Sequence, residues 1–258
     1  MFIKYLKVIE ETPILNSENF SYTFRKRDLK TLKVDQRDHI REIEFIALRD
    51  MIFQMLKKCE SPFIYKVKCD FYKNSDLYID SRFTTFVNNN PSKKTNYCIS
   101  KKNILQRLKE RLGSKYIWGG NFSNGISKLI DYYPPKDKLN NDQKNHWILK
   151  GVDCSGLLFE VTNGFTPRNT CDLLHYKESL KIKNLSALEI KNIVKPLDLI
   201  VFKGHVVIVL DKNFTIESRE NYGVIKTSIL DRLHEIHHTK NPANGYLTPQ
   251  DYVIRRWV

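Results

Sequence analysis

The sequence predicts an α+β fold, and three of its segments carry that prediction. Residues 196–211 contain two β-rich apolar runs separated by Lys203-Gly204, which is the pattern of a β-hairpin. Residues 100–112 place apolar side chains at helical spacing and are followed by Gly113, a suitable helix C-cap. A second helical pattern begins around Cys154. Helix and hairpin signals in one stretch of chain favour the mixed class.

The first 92 residues are predicted to form a smaller, β-rich domain. Short apolar runs alternate with turn residues over residues 1–34, and residues 63–87 return to strand-like patterning. Between them, residues 35–58 place isoleucine, leucine and methionine at three- and four-residue spacing, which predicts an amphipathic helix with Asp35 near its N-cap. The polar run at 88–94 reads as a linker. We therefore place the two domains at residues 1–92 and 98–258.

The C-terminal elements follow a recognisable order. After the helix at 100–112 comes a polar stretch, 121–150, of the kind that often forms a functional lid. Beyond the 196–211 hairpin, residues 214–217 predict a neighbouring strand, Ser228 caps a short helix, and residues 252–257 predict a closing strand.

Composition narrows the classes of function. The chain has 258 residues, of which 41% are hydrophobic, and a net charge of +14. The lysines are scattered, and no helix-turn-helix, zinc-finger or RNA-binding signature occurs, so nucleic-acid binding is not expected; steep salt dependence of DNA retention would mark that alternative. A basic surface equally attracts a substrate that bears several carboxylates.

The N-terminus and the cysteines bear on compartment. The first residues lack the pattern of a signal peptide and no stretch matches a membrane helix, so we expect a cytoplasmic protein without a membrane partner. We also expect a monomer. The cysteine count is odd, at five, and no C-x-x-C pair occurs. Reduced thiols are therefore expected, with no disulfide framework, metal or cofactor.

Three residues are candidates for nucleophilic catalysis. Cys154 lies where a loop enters an apolar helix, and the positive end of a helix favours a thiolate. His205 opens a run of valine and isoleucine and is a candidate base, while Glu217 is a candidate to orient the His205 ring. The alternatives are a buried core cysteine, a strand-edge histidine and a solvent-facing glutamate. Ser218 and Glu220 are fallback candidates for the third position.

Five motifs follow one another along the C-terminal part of the chain. They are Tyr116-Ile117-Trp118-Gly119-Gly120, Asp153-Cys154-Ser155-Gly156-Leu157, Thr166-Pro167-Arg168, 196–202 and 205–210. In this order they resemble NlpC-type cell-wall cysteine peptidases over about residues 100–257. The resemblance implies a papain-like catalytic domain, in which a helix carrying the cysteine packs on an antiparallel sheet carrying the histidine. It also implies hydrolysis of the bond between γ-D-glutamate and a diamino acid in murein peptides.

The same resemblance suggests substrate contacts. Tyr116 matches a substrate-pocket position, Asp153 and Ser155 flank the nucleophile, and Trp118 is a further candidate, although aromatic burial habits favour a core role for it. The family's third catalytic residue is commonly His, Asn or Gln, whereas Glu217 stands here.

One feature limits what the resemblance implies about the substrate. The segment between Gly120 and Gly151 is longer than usual, which leaves substrate preference open. Cytosolic relatives that recycle murein peptides often carry Src-homology-3-type (SH3-like) barrels, so the N-terminal domain is predicted to be SH3-like with a helical insertion.

Two alternative functions stay open: an amidase or acyltransferase with the same Cys–His pair, and a non-catalytic protein that binds cell-wall fragments.

Overall fold

The computed structural model describes residues 4–26, 28, 30–88 and 99–258. Helices and antiparallel sheets occur together, so the predicted α+β class is confirmed. Apart from Asn88, the linker predicted at 88–94 lies outside the described residues.

The elements follow one another in chain order. The strands are β1 (Tyr5–Val8), β2 (Thr12–Leu15), β3 (Ile43–Ala47), β4 (Ile52–Lys58), β5 (Ile64–Cys69), β6 (Tyr72–Asp80), β7 (Thr84–Val87), β8 (Asn121–Phe122), β9 (Gly151–Val152), β10 (Glu178–Ser179), β11 (Leu199–Phe202), β12 (His205–Val209), β13 (Phe214–Arg219), β14 (Gly223–Ser228), β15 (Asn241–Pro242) and β16 (Asp251–Arg256). The helices are α1 (Phe20–Arg25), α2 (Lys101–Glu110), α3 (Lys128–Tyr132), α4 (Asn141–Trp147), α5 (Cys154–Val161), α6 (Thr170–Leu173), α7 (Ala187–Ile193) and α8 (Ile229–His237).

The chain divides into two compact units. The first unit is Met1–Tyr97 with Ile117–Gly151, and the second unit is Cys98–Tyr116 with Val152–Val258. The segment 117–151 therefore groups with the N-terminal residues, although the predicted range 98–258 includes it. The domain ranges 1–92 and 98–258 stay predictions.

The first unit is built on a seven-stranded sheet. Its strand order is β3-β2-β6-β5-β4-β1-β7, and its neighbouring strands are antiparallel. The strand-rich character of this region is confirmed, whereas the predicted SH3-like identity is not.

The helix predicted over residues 35–58 is wrong, because this segment forms β3 and β4. Phe45 and Phe53 are fully buried in the strands, and neither belongs to the apolar face of the predicted helix. Asp50 has a φ of 69° in the turn between the strands, a conformation that interrupts a helix. The Asp35 carboxylate accepts backbone hydrogen bonds in a turn instead of capping a helix. Burial of both aromatic rings overrides the helical spacing of the aliphatic residues.

The polar stretch at 121–150 is a structured part of the first unit. It contains α3 and α4 and contributes to the buried core. The Trp147 indole is buried and donates a hydrogen bond to the Tyr133 carbonyl at 3.0 Å. The Tyr133 hydroxyl in turn donates to the buried carboxylate of Asp80 at 2.6 Å. The irregular lid that the composition suggested is therefore replaced by packed helices.

The second unit is built on a sheet of order β10-β16-β11-β12-β13-β14, with β15 beside β16. The pairs along this order are antiparallel. The predicted hairpin is confirmed as β11 and β12, which turn through Gly204 at a φ of 82°. The predicted helix at 100–112 and the Ser228-capped helix are confirmed as α2 and α8.

Helices cover both faces of this sheet. α5 packs in one apolar cluster with Val206, Ile208 and Ile216, whereas α7 and α8 pack in another with Val207 and Val209. Successive strand residues point to opposite faces, so β12 contributes to both clusters. The Cys154-bearing helix therefore packs on an antiparallel sheet, as the resemblance implies.

Among the residues described, no helix combines the length and apolar character needed to cross a membrane.

Candidate active site

Cys154 is the first residue of α5. The preceding residue, Asp153, caps the helix, because its carboxylate accepts a hydrogen bond from the Gly156 amide at 2.6 Å. All residues of this helix are buried, and Cys154 is 7% exposed. Its Sγ atom lies 3.8 Å from the Gly204 carbonyl oxygen, in the turn that leads into β12. The thiol therefore lies at a helix N-terminus beside the residue that precedes His205.

The residues beside the nucleophile form a buried polar cluster. The Arg168 guanidinium donates to both carboxylate oxygens of Asp153, at 3.0 and 2.6 Å, and to Ser155 Oγ at 2.9 Å. Asp153, Ser155 and Arg168 are all buried. Asp153 and Ser155 were predicted as flanking residues, whereas no role was predicted for Arg168. The sequence signal that could have indicated a role for Arg168 is its place in the Thr166-Pro167-Arg168 motif.

His205 and Glu217 are in direct contact. His205 opens β12, Glu217 lies on the adjacent strand β13, and the His205 Nε2 atom is 2.5 Å from Glu217 Oε2. Glu217 has no exposed surface. The fallback residue Ser218 instead donates its hydroxyl to the Val152 carbonyl at 2.7 Å. Of the third-position candidates, Glu217 is thus the one that contacts the His205 ring in the described hydrogen bonds.

The electrostatics of this pair favour the charged forms. Burial alone would lower the pKa of His205, but hydrogen bonds with Cys154 and Glu217 raise that pKa to about 9. Burial alone would raise the pKa of Glu217, but the contacts with His205 and Arg232 hold it below its ordinary value. Because Nε2 is bonded to Glu217, Nδ1 is the ring nitrogen left for Cys154. The imidazole is therefore expected to be protonated near neutral pH.

Arg232 of α8 completes the contacts of Glu217. Its Nε atom donates to Glu217 Oε1 at 2.7 Å, and its terminal NH2 group donates to Oε2 at 2.9 Å. Arg232 is buried and also pairs with Glu235 at 2.9 Å. Arg232 could not be found from the sequence. In a short amphipathic helix, the sequence pattern does not distinguish a buried, paired arginine from an arginine that faces solvent.

The substrate-binding candidates divide between the two units. Tyr116 belongs to the second unit, and its pKa is raised by burial and by the nearby charges of Asp153, Cys154 and Glu220. Trp118 belongs to the first unit, where its ring stacks on His39, with centroids 5.2 Å apart. Trp118 is 37% exposed, so the core role that we considered for it is wrong.

The other described cysteines have raised pKa values, which disfavour the thiolate. Burial raises the pKa of Cys59 to about 11 and that of Cys69 to about 12, and it also raises the pKa of Cys171. Cys98 lies outside the described residues. The described ranges contain no cluster of three or more His, Cys, Asp or Glu side chains suited to a metal ion.

A cavity of about 390 Å³ opens beside the catalytic candidates in the second unit. His205 and Arg232 line it from the sheet and from α8. Its remaining lining residues are Phe202, Arg219, Glu220, Tyr222, Glu235, Ile236 and Thr239.

Comparisons with known proteins give structural neighbours only. No family model matches the sequence, and no curated protein matches it. An NlpC/P60 family protein from Bacillus cereus is 16% identical with a TM-score of 0.37, over 99% of this chain and 63% of that one. NlpC1 from Trichomonas vaginalis is 16% identical with a TM-score of 0.36, over 98% of this chain and 68% of that one.

A third neighbour is the P60 domain of an antigen from M. avium subspecies paratuberculosis. It is 21% identical with a TM-score of 0.36, over 60% of this chain and 93% of that one. The Bacillus cereus protein is an NlpC/P60 family protein, and the other two carry the names NlpC and P60. Because the chain spans only 63% of the Bacillus cereus protein, the activity of that whole protein is not carried over to it.

Proposed function

We propose that this chain is a cysteine peptidase that acts on cell-wall peptides, with Cys154 as nucleophile, His205 as base and Glu217 as the group that orients the base. One observation carries the proposal. His205 bonds to Glu217 through Nε2 and also interacts with Cys154, which lies at the N-terminus of a buried helix. A cysteine activated by a histidine that a third group orients is the arrangement used in nucleophilic acyl transfer.

The proposed reaction has two steps. The Cys154 thiolate attacks the carbonyl carbon of the scissile amide, and the backbone N–H of Cys154 helps to hold the oxyanion. His205 gives its proton to the leaving nitrogen as the carbon–nitrogen bond breaks, which leaves a thioester. The neutral imidazole then takes a proton from water, hydroxide attacks the thioester, and the acid product leaves with the thiolate restored.

The proposed substrate is a murein peptide, cleaved between γ-D-glutamate and a diamino acid during recycling. The support is the order of the motifs around Tyr116, Cys154 and His205 and the charge of the chain. A net charge of +14 favours substrates with several carboxylates, and murein peptides carry them. Tyr116, Asp153 and Ser155 are the proposed substrate-side residues of the second unit.

Hydrolysis of L-Ala-γ-D-Glu-meso-diaminopimelate tests the proposal. We expect the wild type to release L-Ala-D-Glu and Cys154→Ala to release none. Cys171→Ala is the matched control, since it removes a thiol that is exposed and lies outside the site. Absence of product from a folded wild type would contradict the murein substrate. Equal activity of wild type and Cys154→Ala would contradict the nucleophile.

A further inference from the structure

The charge balance around Glu217 points to a role for Arg232. Glu217 is fully buried, and a buried carboxylate is strongly disfavoured unless it is paired and hydrogen-bonded. The Arg232 guanidinium supplies two of the hydrogen bonds, one to each carboxylate oxygen. A planar fork of this kind fixes the rotation of the carboxylate as well as its charge.

The contact with Arg232 also orients the Glu217 oxygen that accepts the hydrogen bond from His205. Oε2 accepts from both the Arg232 NH2 group, at 2.9 Å, and His205 Nε2, at 2.5 Å. Without Arg232, a carboxyl group in this buried position would favour its neutral form or turn away from the ring. Either change removes the acceptor that holds the imidazole with Nδ1 toward Cys154.

Arg232 is itself held by a neighbouring pair of charged residues, Glu235 and Arg219. Glu235 lies one turn further along α8 and pairs with Arg232 at 2.9 Å. Arg219 of β13 bonds Glu235 at 2.6 Å. Charges of alternating sign therefore run from the half-exposed Glu235 through Arg232 and Glu217 to His205, and the fork is fixed from both sides.

We propose that Arg232 is a positioning residue, which acts on the reaction only through Glu217 by holding its carboxylate ionised and turned toward His205. The inference rests on the proposed function for its biological meaning. Its central claim concerns the reactivity of the Cys154 thiol, which can be measured without a murein substrate.

The test compares alkylation of Cys154 by iodoacetamide at pH 7 in a set of variants. We expect Arg232→Met to slow alkylation by roughly tenfold to a hundredfold, the range by which loss of the residue that orients a metal-binding histidine lowers activity. Arg232→Lys keeps the positive charge but loses the two-pronged hydrogen bonding, so its alkylation rate should lie between those of the wild type and Arg232→Met. Murein-peptide cleavage, if present, should fall in the same order.

A double variant separates positioning from general stabilisation. In the Glu217→Gln background, Arg232→Met should cause no further loss of alkylation rate, because its partner is already gone. A further loss of more than about threefold would overturn the proposal, since Arg232 would then act independently. This comparison removes both buried charges together, so it remains usable if Arg232→Met alone does not fold.

Arg256→Met is the matched control. Arg256 makes a similar fork to the buried carboxylate of Asp198, at 2.9 and 2.6 Å, without contacting Cys154, His205 or Glu217 in the described bonds. We expect it to lower the unfolding midpoint and leave the alkylation rate of the folded protein unchanged. Equal slowing by Arg256→Met and Arg232→Met would overturn the proposal. Normal alkylation without peptide cleavage would count against the proposed function alone.

Discussion

The protonation state of the His205 ring is set by the individual residues that surround it. Glu217 and Cys154 outweigh the burial of the ring and raise the pKa of His205 to about 9. In the proposed mechanism, the protonated imidazole is the group that protonates the leaving amine. Activity should therefore persist through neutral pH and fall as the pH rises through about 9.

Glu217→Gln should move this alkaline limb to lower pH. The substitution removes the negative charge that lies beside the His205 ring, so the imidazolium becomes less favoured. The measurement is kcat/KM for the murein tripeptide across pH 6–10. Glu189→Gln is the control, because it makes the same change at an exposed cap of α7. An unmoved limb in Glu217→Gln would contradict the orienting role.

Arg168 offers a second residue-scale prediction. It is buried with Asp153, and removal of one partner from a buried ion pair typically costs about 3–5 kcal/mol. We expect Arg168→Met to lower the free energy of unfolding by that order, as measured by urea denaturation. Lys66→Met, which breaks the exposed pair with Asp76, should lower the free energy of unfolding far less than Arg168→Met does. Similar losses in the two variants would contradict a buried, stabilising role for Arg168.

At the scale of elements, the first residue of β14 packs closely on the residues after α2. Gly223 has a φ of 69°, and a Cβ atom there would lie 2.2 Å from the Ser114 carbonyl oxygen. Gly113 has a φ of 80°, but a Cβ atom there would meet nothing within 4 Å. The two glycines therefore share a left-handed conformation and differ in the space around them.

Alanine substitutions at Gly113 and Gly223 separate the cost of the left-handed backbone from the cost of a steric clash. Gly113→Ala should cost about 1–2 kcal/mol for the left-handed backbone alone. Gly223→Ala should cost more, because the Ser114 backbone must also move. Thermal or urea unfolding of the two variants measures the difference. Equal costs would show that the carbonyl moves aside freely.

The order of the elements in the second unit could be predicted largely from sequence, and that of the first unit could not. The hairpin at β11 and β12 is a local feature with a glycine turn, so its residues alone indicate it. β3 and β4 were mistaken for a helix because the burial of Phe45 and Phe53 depends on partner strands distant in sequence. Long-range pairing of this kind has no local signature.

The same distinction applies to the candidate site. The contact of His205 with Glu217 could be anticipated because the two lie on successive strands. Arg168 and Arg232 could not be assigned, since their partners are decided by how a loop and a helix pack on the sheet. Sequence patterns therefore indicate the reacting residues better than the residues that hold them.

At the scale of the whole molecule, the cysteines should differ in reactivity. The raised pKa values of Cys59, Cys69 and Cys171 leave little thiolate at neutral pH. We expect iodoacetamide at pH 7 to modify Cys154 roughly tenfold faster or more than the exposed Cys171, as mapped by mass spectrometry. Faster modification of Cys171 would show that access, and not activation, governs thiol reactivity in this chain.

The hydrogen bond from Ser218 to the Val152 carbonyl ties the strand that holds Glu217 to the chain just before Cys154. If β13 shifts, Glu217 and the residues just before Cys154 should therefore shift in the same direction. The spacing between Glu217 and Cys154 should then change little when the sheet fluctuates. Warming should leave the reaction geometry intact until the strand itself detaches. Cleavage of the proposed peptide substrate and ordered structure should therefore be lost at the same temperature when both are followed through thermal unfolding.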